Sequence, residues 1–325
     1  MRKAIFITFL FFNAILYAQQ TASSIQSGSY IPGIMGVRDY TAPEFSGILI
    51  FDSNVFLTSN KFLDAKGNEV SQVNIPGVGE IPLNVDISGY LNSLMINYAS
   101  PELSFLGGMQ YLFMVAPVYS SVNVRLFTGQ LNNNEYKVDG GASGMGDVTV
   151  SPLLLSKAFK NFDLTTGYLF TAPTGRFKTG AEDNVGVGYW SHMFQFAGYY
   201  YLNEKQTAFF AMPTYEFHSD IKDTDVRPGS RLILEYGVSH FLNERLELVV
   251  QGGHAWQVSR DTGMDVTWDN SVKDRLSTFG VGAGYWFAKN KFYANFKWST
   301  SYANREHFGV NVLQLEFLYI PKVFN

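Results

Sequence analysis

Short polar connections alternate strictly with long polar ones along this chain of 325 residues, separated by stretches of about ten to fifteen residues. The short ones fall at 100–103, 157–162, 203–206, 243–246 and 289–291. The long ones fall at 60–82, 119–146, 173–186, 218–229, 260–274 and 303–307. A chain built this way runs up and down, with tight turns at one end and long loops at the other. That is the rhythm of a transmembrane β-barrel, whose turns are short on the periplasmic side and whose loops are long outside. The stretches predict an all-β, antiparallel up-and-down barrel over residues 45–325. It has about twelve strands, with fourteen as the alternative, and both ends lie on the short-turn side.

Side-chain parity tests the same idea, because each barrel strand shows one face to lipid and one to the lumen. After Lys291, the residues Phe292, Ala294, Phe296 and Trp298 oppose Tyr293, Asn295, Lys297 and Ser299. After Ser230, Leu232, Leu234, Tyr236 and Val238 oppose Ile233, Glu235, Gly237 and Ser239. The inner face is not uniformly polar: Ala208, Phe210 and Met212 share it with Thr214 and Glu216, and Leu112 and Met114 share it with Gln110. An amphipathic lumen suits a greasy cargo better than a salt. Gly280, Gly282 and Gly284 fall on one face, where glycine leaves room for an inner element or sharpens curvature.

Composition narrows the alternatives. Hydrophobic residues make up 46% and aromatics 16%, yet charged residues are only 16%, against about 25% in ordinary soluble domains. Tyr199 to Tyr201 and Tyr285 to Phe287 stand beside predicted short turns, as an interfacial aromatic girdle requires. There is no cysteine, so no disulfide framework exists. A net charge of −4 implies no nucleic-acid partner. Residues 1–18 read as a signal peptide: Arg2 and Lys3 precede an apolar run, and cleavage is expected after Ala18. Leu16 stands three before that cut, where a small residue is usual. The expected destination is the outer membrane of a Gram-negative bacterium, in contact with its lipid.

Residues 19–44 do not alternate. Pro32, Gly33, Gly36, Asp39 and Pro43 break strands, leaving either a periplasmic tail or a segment tucked into the barrel as a plug. The same region carries a resemblance. Tyr30, Pro32, Gly33, Gly36, Asp39, Pro43 and Gly47 resemble the N-terminal signature of an outer-membrane barrel family named for the meta pathway of phenol degradation. Gly146, Asp147, Ser151 and Pro152 resemble its Gly-Asp-to-Ser-Pro motif. Pro173, Thr174 and Gly175 resemble its Pro-Thr-Gly turn, and Asn184, Gly186, Gly188 and Trp190 fall where it has an Asn, glycines and an aromatic. The resemblance implies a channel or transporter for small hydrophobic, often aromatic, compounds, distantly similar to long-chain fatty-acid transporters. It implies no catalytic or binding residue. Barrels of this kind commonly end on an aromatic read by the barrel assembly machinery; here Pro321 and Asn325 interrupt that ending, and Phe317 and Tyr319 are expected to serve instead.

No enzyme chemistry and no cofactor are predicted. His192, His218, His240, His254 and His307 lack metal-ligand spacing and read as rim or loop residues. Ser191 and His192 are adjacent and point to opposite faces, so they form no nucleophile and base. The candidates for a solute path are the charged and amide residues of inner parity: Glu216, Arg231, Glu235, Glu247, Gln251, Asn295, Lys297 and Glu316. Glu216 and Arg231 flank one loop and are positioned to pair. These groups either neutralise one another to hold the interior and any plug, or orient the polar end of an apolar solute. Two functions follow: passive passage of small hydrophobic or aromatic molecules, or a non-transporting structural or surface-binding barrel.

Overall fold

The structure is a computed structural model that describes residues 30–75, 79–131, 134–181 and 183–324; residues 1–29, where the signal peptide was expected, lie outside it. The strands are β1 (Ser46–Leu63), β2 (Gln72–Ile75), β3 (Gly79–Pro82), β4 (Asn84–Leu103), β5 (Met109–Ala116), β6 (Val118–Leu131), β7 (Asn134–Met145) and β8 (Val148–Ala158). Then follow β9 (Phe162–Ala172), β10 (Ser191–Leu202), β11 (Thr207–His218), β12 (Arg231–Phe241), β13 (Leu246–Gln257), β14 (Arg275–Ala288), β15 (Phe292–Ser301) and β16 (His307–Phe324). Every pairing is antiparallel, and β1 closes the ring by pairing with β16 on one side and β4 on the other. Twelve strands form that ring: β1, β4, β5 and β8 to β16.

The strands outside the ring correct one expectation. Residues 119–146 form no plain loop: β6 carries β5 onward past Pro117 and pairs with the upper part of β4, and β7 returns along β6. The hairpin extends the wall beyond the ring. In the 60–82 stretch, β2 and β3 pair with each other over a small core of Val70, Val73, Ile81, Val85, Ile87 and Leu126. The first short turn also moves. The chain stays extended to Leu103 and reverses through a 3-10 turn at Ser104–Leu106 and the left-handed Gly107. The last strand runs on to Phe324 despite Pro321, with a register shift between Ile48 and Ile50 on β1 absorbing the irregularity.

Alternation follows the predicted parity. Phe194, Phe196, Phe209, Tyr215, Leu232, Phe279, Phe296 and Trp298 are exposed on the outer wall, whereas Met193, Phe210, Met212, Ile233, Lys297 and Ser299 are buried within. A band of exposed Phe, Leu and Trp would aggregate in water and is stable only against hydrocarbon. The closed ring is therefore a transmembrane barrel. Closure also leaves no unpaired ring edge in the lipid.

Candidate functional site

The lumen is two-sided. An apolar side comes from β5 and β9 to β12, with Met114, Leu169, Met193, Ala197, Tyr199, Phe210, Met212 and Ile233 in one continuous cluster. A polar side comes from β12 to β16. The N-terminal segment lies between them. Tyr30 and Val37 belong to the apolar cluster, and Met35 and Tyr40 pack against it.

The opposite side of the segment is held by hydrogen bonds from the predicted lumen residues. Glu235, fully buried, accepts from the Gly33 amide at 2.6 Å and the Tyr30 hydroxyl at 3.2 Å. Gln251 donates to the carbonyls of Gly33 and Met35 at 3.0 and 2.9 Å. Lys297 donates to the Met35 carbonyl at 3.0 Å. Glu247 binds Arg38 Nε at 2.7 Å and also accepts from the Tyr293 hydroxyl. Glu316 is hydrogen-bonded to Asp39, whose carboxyl is pushed up by burial against the opposing pull of the Gly36 amide and Lys297. Five of the eight candidates thus seat residues 30–39. Asn295 lies opposite Glu316 in register, and its Oδ1 has no hydrogen-bond partner among the described residues.

Glycines on the wall leave space for this segment, though not those expected. A Cβ at Gly253 would stand 2.8 Å from the Gly33 nitrogen and 2.9 Å from Pro32 Cβ, and one at Gly237 would stand 2.9 Å from Val37 Cγ2. Gly280 and Gly282 instead accommodate the side chains and backbone of the neighbouring β15. Arg38 fastens the segment near the short turns: it donates to Ser239, to Glu247 and to the carbonyls of Lys205 and Gln206, and lies 4.8 Å from the Phe241 ring centroid. Sequence reasoning passed over Arg38. An Arg-Asp pair inside a Gly- and Pro-rich apolar stretch was its signal, because a buried charge demands partners.

Nearer the long loops, Glu216 and Arg231 are register partners as expected, but Arg231 also makes a two-pronged ion pair with Asp274. Asp274 precedes β14 and was counted only as the end of a loop. Asp261 is a second hub, accepting from the Gly229 amide, Gln257 and Trp268. The family-like motifs meet in one structural knot. The Asp147 carboxylate accepts from the amides of Gly175 and Val187, both at 2.8 Å. Gly186 packs so closely that a Cβ on it would stand 2.6 Å from Asp147. Beside that knot, Pro173, Gly175, Phe177, Gly188, Trp190, Ser219, Asp220 and Lys222 line an open cleft of about 330 Å³.

The histidines lie on strands rather than in loops. His192 stacks between Tyr168 and Phe217 on the outer wall and His254 stacks on Trp256. His218 faces inward, where Ser191 lies 3.0 Å from its Nδ1. The Glu216 carboxylate also approaches Nδ1, at 4.0 Å, and Nε2 has no hydrogen-bond partner among the described residues. A hydrolytic triad places nucleophile and acid on opposite ring nitrogens; this trio does not.

Among solved structures, the COG4313 outer membrane channel from Pseudomonas putida F1 matches with a TM-score of 0.66 at 16% identity, covering 90% of this chain and all of that one (100%). The translocator domain of autotransporter NalP from Neisseria meningitidis matches with a TM-score of 0.45 at 11% identity, covering 87% and 91%. The first similarity is one of fold. No curated protein sequence matches the chain. The family model described as "Putative MetA-pathway of phenol degradation" matches residues 59–317. That span takes in every strand of the ring in whole or in part, and the chain belongs to this family.

Proposed function

We propose that this protein is an outer-membrane channel through which small hydrophobic or aromatic compounds pass passively, and that its N-terminal segment closes the lumen at rest. The observation that carries the reading is the sided lumen. Methionines and aromatics of β5 and β9 to β12, with a few polar groups such as Asp163 and Thr165 among them, pack against one side of residues 30–45, and carboxylates, Gln251 and Lys297 of β12 to β16 hydrogen-bond the other. A water-filled pore would need a uniformly polar bore and more strands: twelve is well below the sixteen to eighteen of open porins. An apolar solute can replace the apolar contacts of the segment, while the polar wall orients a hydroxyl or carboxyl end. Membership of the family and the fold of a solved outer membrane channel support the same reading. The cleft walled by Phe177 and Trp190 is large enough for a single-ring compound and lies at the long-loop end, where such a compound would first be held.

The five lumen residues that seat the segment, Glu235, Glu247, Gln251, Lys297 and Glu316, then have a double role. They hold the segment while the lumen is closed, and they meet the polar end of the solute once it shifts. The test is uptake of a labelled monocyclic hydrocarbon by Gram-negative cells whose outer leaflet is lipopolysaccharide. Cells making the protein should take it up faster than cells without it, and a variant lacking residues 30–40 faster still. Equal uptake in all three, with the barrel present and folded, would leave the structural reading in its place.

A further inference from the structure

The outer wall carries a polar patch where lipid-facing parity demands apolar side chains. On β1 the outward positions run Ile48, Ile50, Asp52, Asn54 and Phe56, and their β4 partners are Tyr98, Ile96, Leu94, Asn92 and Tyr90. Phe56, Leu94, Ile96 and Tyr98 are exposed, whereas the intervening Ser53 and Val55 are buried, which fixes the outward direction. Phe56, Tyr90 and Tyr119 form an aromatic rim on the long-loop side, with ring centroids 5.1 and 6.5 Å apart. Tyr98 and Phe324, 6.3 Å apart, form the opposite rim. Asp52 is four residues from Phe56 and four from Ile48, roughly 13 Å along the strand from either rim. It sits at the middle of the apolar band.

The patch is a network. Asn92 donates to Asp52 at 2.6 Å and to Asn54 at 3.2 Å, and the Tyr90 hydroxyl donates to Asn54 at 2.7 Å. Lipid offers no partner for what remains, and unmet polar groups in hydrocarbon are penalised. On the outward faces of β9 to β15 the band holds no carboxylate or amide among the described residues. Among the groups left unused here, the Asn54 amide donates to nothing and the second Asp52 oxygen accepts from nothing, among the described residues. A spare donor beside a spare acceptor on one surface is self-complementary, which is what a two-fold contact requires.

We propose that the Asp52–Asn54–Asn92 face is a dimer interface covered by a second copy of this chain. The Asn54 amide of each copy meets the Asp52 carboxylate of the other, and Leu94, Ile96, Leu315 and Phe317 pack around the pair. The chain has no cysteine, so single cysteines report the contact cleanly. In lipid membranes under mild oxidation, Leu94→Cys should form a disulfide-linked dimer at least tenfold faster than Phe209→Cys, which lies outward on β11. Adding Asp52→Leu, Asn54→Leu and Asn92→Leu together should abolish the difference. Asn54→Ala alone, a milder change, should lower the Leu94→Cys rate if the triple variant fails to fold. Equal rates at Leu94→Cys and Phe209→Cys, or a Leu94→Cys rate unaffected by Asn54→Ala, would overturn the proposal. So would a single photobleaching step per particle for the labelled wild-type protein in membranes, since that is a monomer sealed by lipid.

Discussion

Lys297 shows how one residue can hold a lumen together. It is buried, its ammonium donates to a backbone carbonyl of the segment, and the carboxyls of Glu235, Asp39 and Glu316 lie around it. Removing it leaves those carboxyls without their cation. Lys297→Met should therefore destabilise the closed state by about 3–5 kcal/mol, the usual cost of breaking one side of a buried charge network. The expected readout is a lower heat-unfolding temperature on semi-native gels, with the barrel still inserted; an unchanged temperature would refute the network. Glu306 is a second case, outside the spanning strands. Burial and the nearby Asp64 push its carboxyl up from 4.5 to about 7. A carboxyl raised on folding favours the fold when protonated, so its contribution is complete below about pH 4.5 and is lost as the pH climbs through 7. Glu306→Gln should raise the unfolding temperature at pH 8 and leave it alone at pH 4. Equal shifts at both would contradict the burial argument.

At the scale of elements, Gly253 and Asp147 act as joints. A branched side chain at Gly253 cannot be fitted beside Pro32 and Gly33 in their present place, so Gly253→Val should expel the segment without unfolding β13. Faster protease cleavage near residue 30, with an intact barrel band, is the expected outcome. Asp147→Asn loses charge from two hydrogen bonds to loop amides, each worth about 1.5–3 kcal/mol when charge-assisted. The loop at 173–190 should then exchange its amide protons faster than the strands beside it. The elements that were legible in the sequence are those that cross lipid, because lipid enforces a strict period of two. The hairpin of β6 and β7 was not, since Ser120, Ser121, Asn123, Gly140 and Gly141 stand outside the band and no solvent contrast imposes alternation there. The inward direction of all eight candidate residues followed from parity alone. What they bind did not: Asp274 and Arg38 come from irregular chain, whose path no periodicity encodes.

For the molecule as a whole, on the proposed reading, the barrel is a rigid frame and the N-terminal segment is its closure. The frame is fixed by a continuous ring of backbone hydrogen bonds. The segment has no such ladder and depends on side chains that an incoming solute can compete for. It also has a pH sense. Asp39 is raised by burial, so its hold is strongest while protonated and weakens as the pH rises, and solute passage should quicken in the same direction. The most direct measurement uses the proximity of Pro32 to Gly253, where a Cβ would lie 2.9 Å from the proline's. The pair Pro32→Cys and Gly253→Cys needs roughly 1 Å of easing to reach disulfide geometry. Oxidised, this variant should pass no labelled monocyclic hydrocarbon into lipopolysaccharide-coated cells, and a reductant should restore passage to at least the wild-type rate. The same uptake rate before and after reduction, with the disulfide shown to form, would contradict closure by the segment.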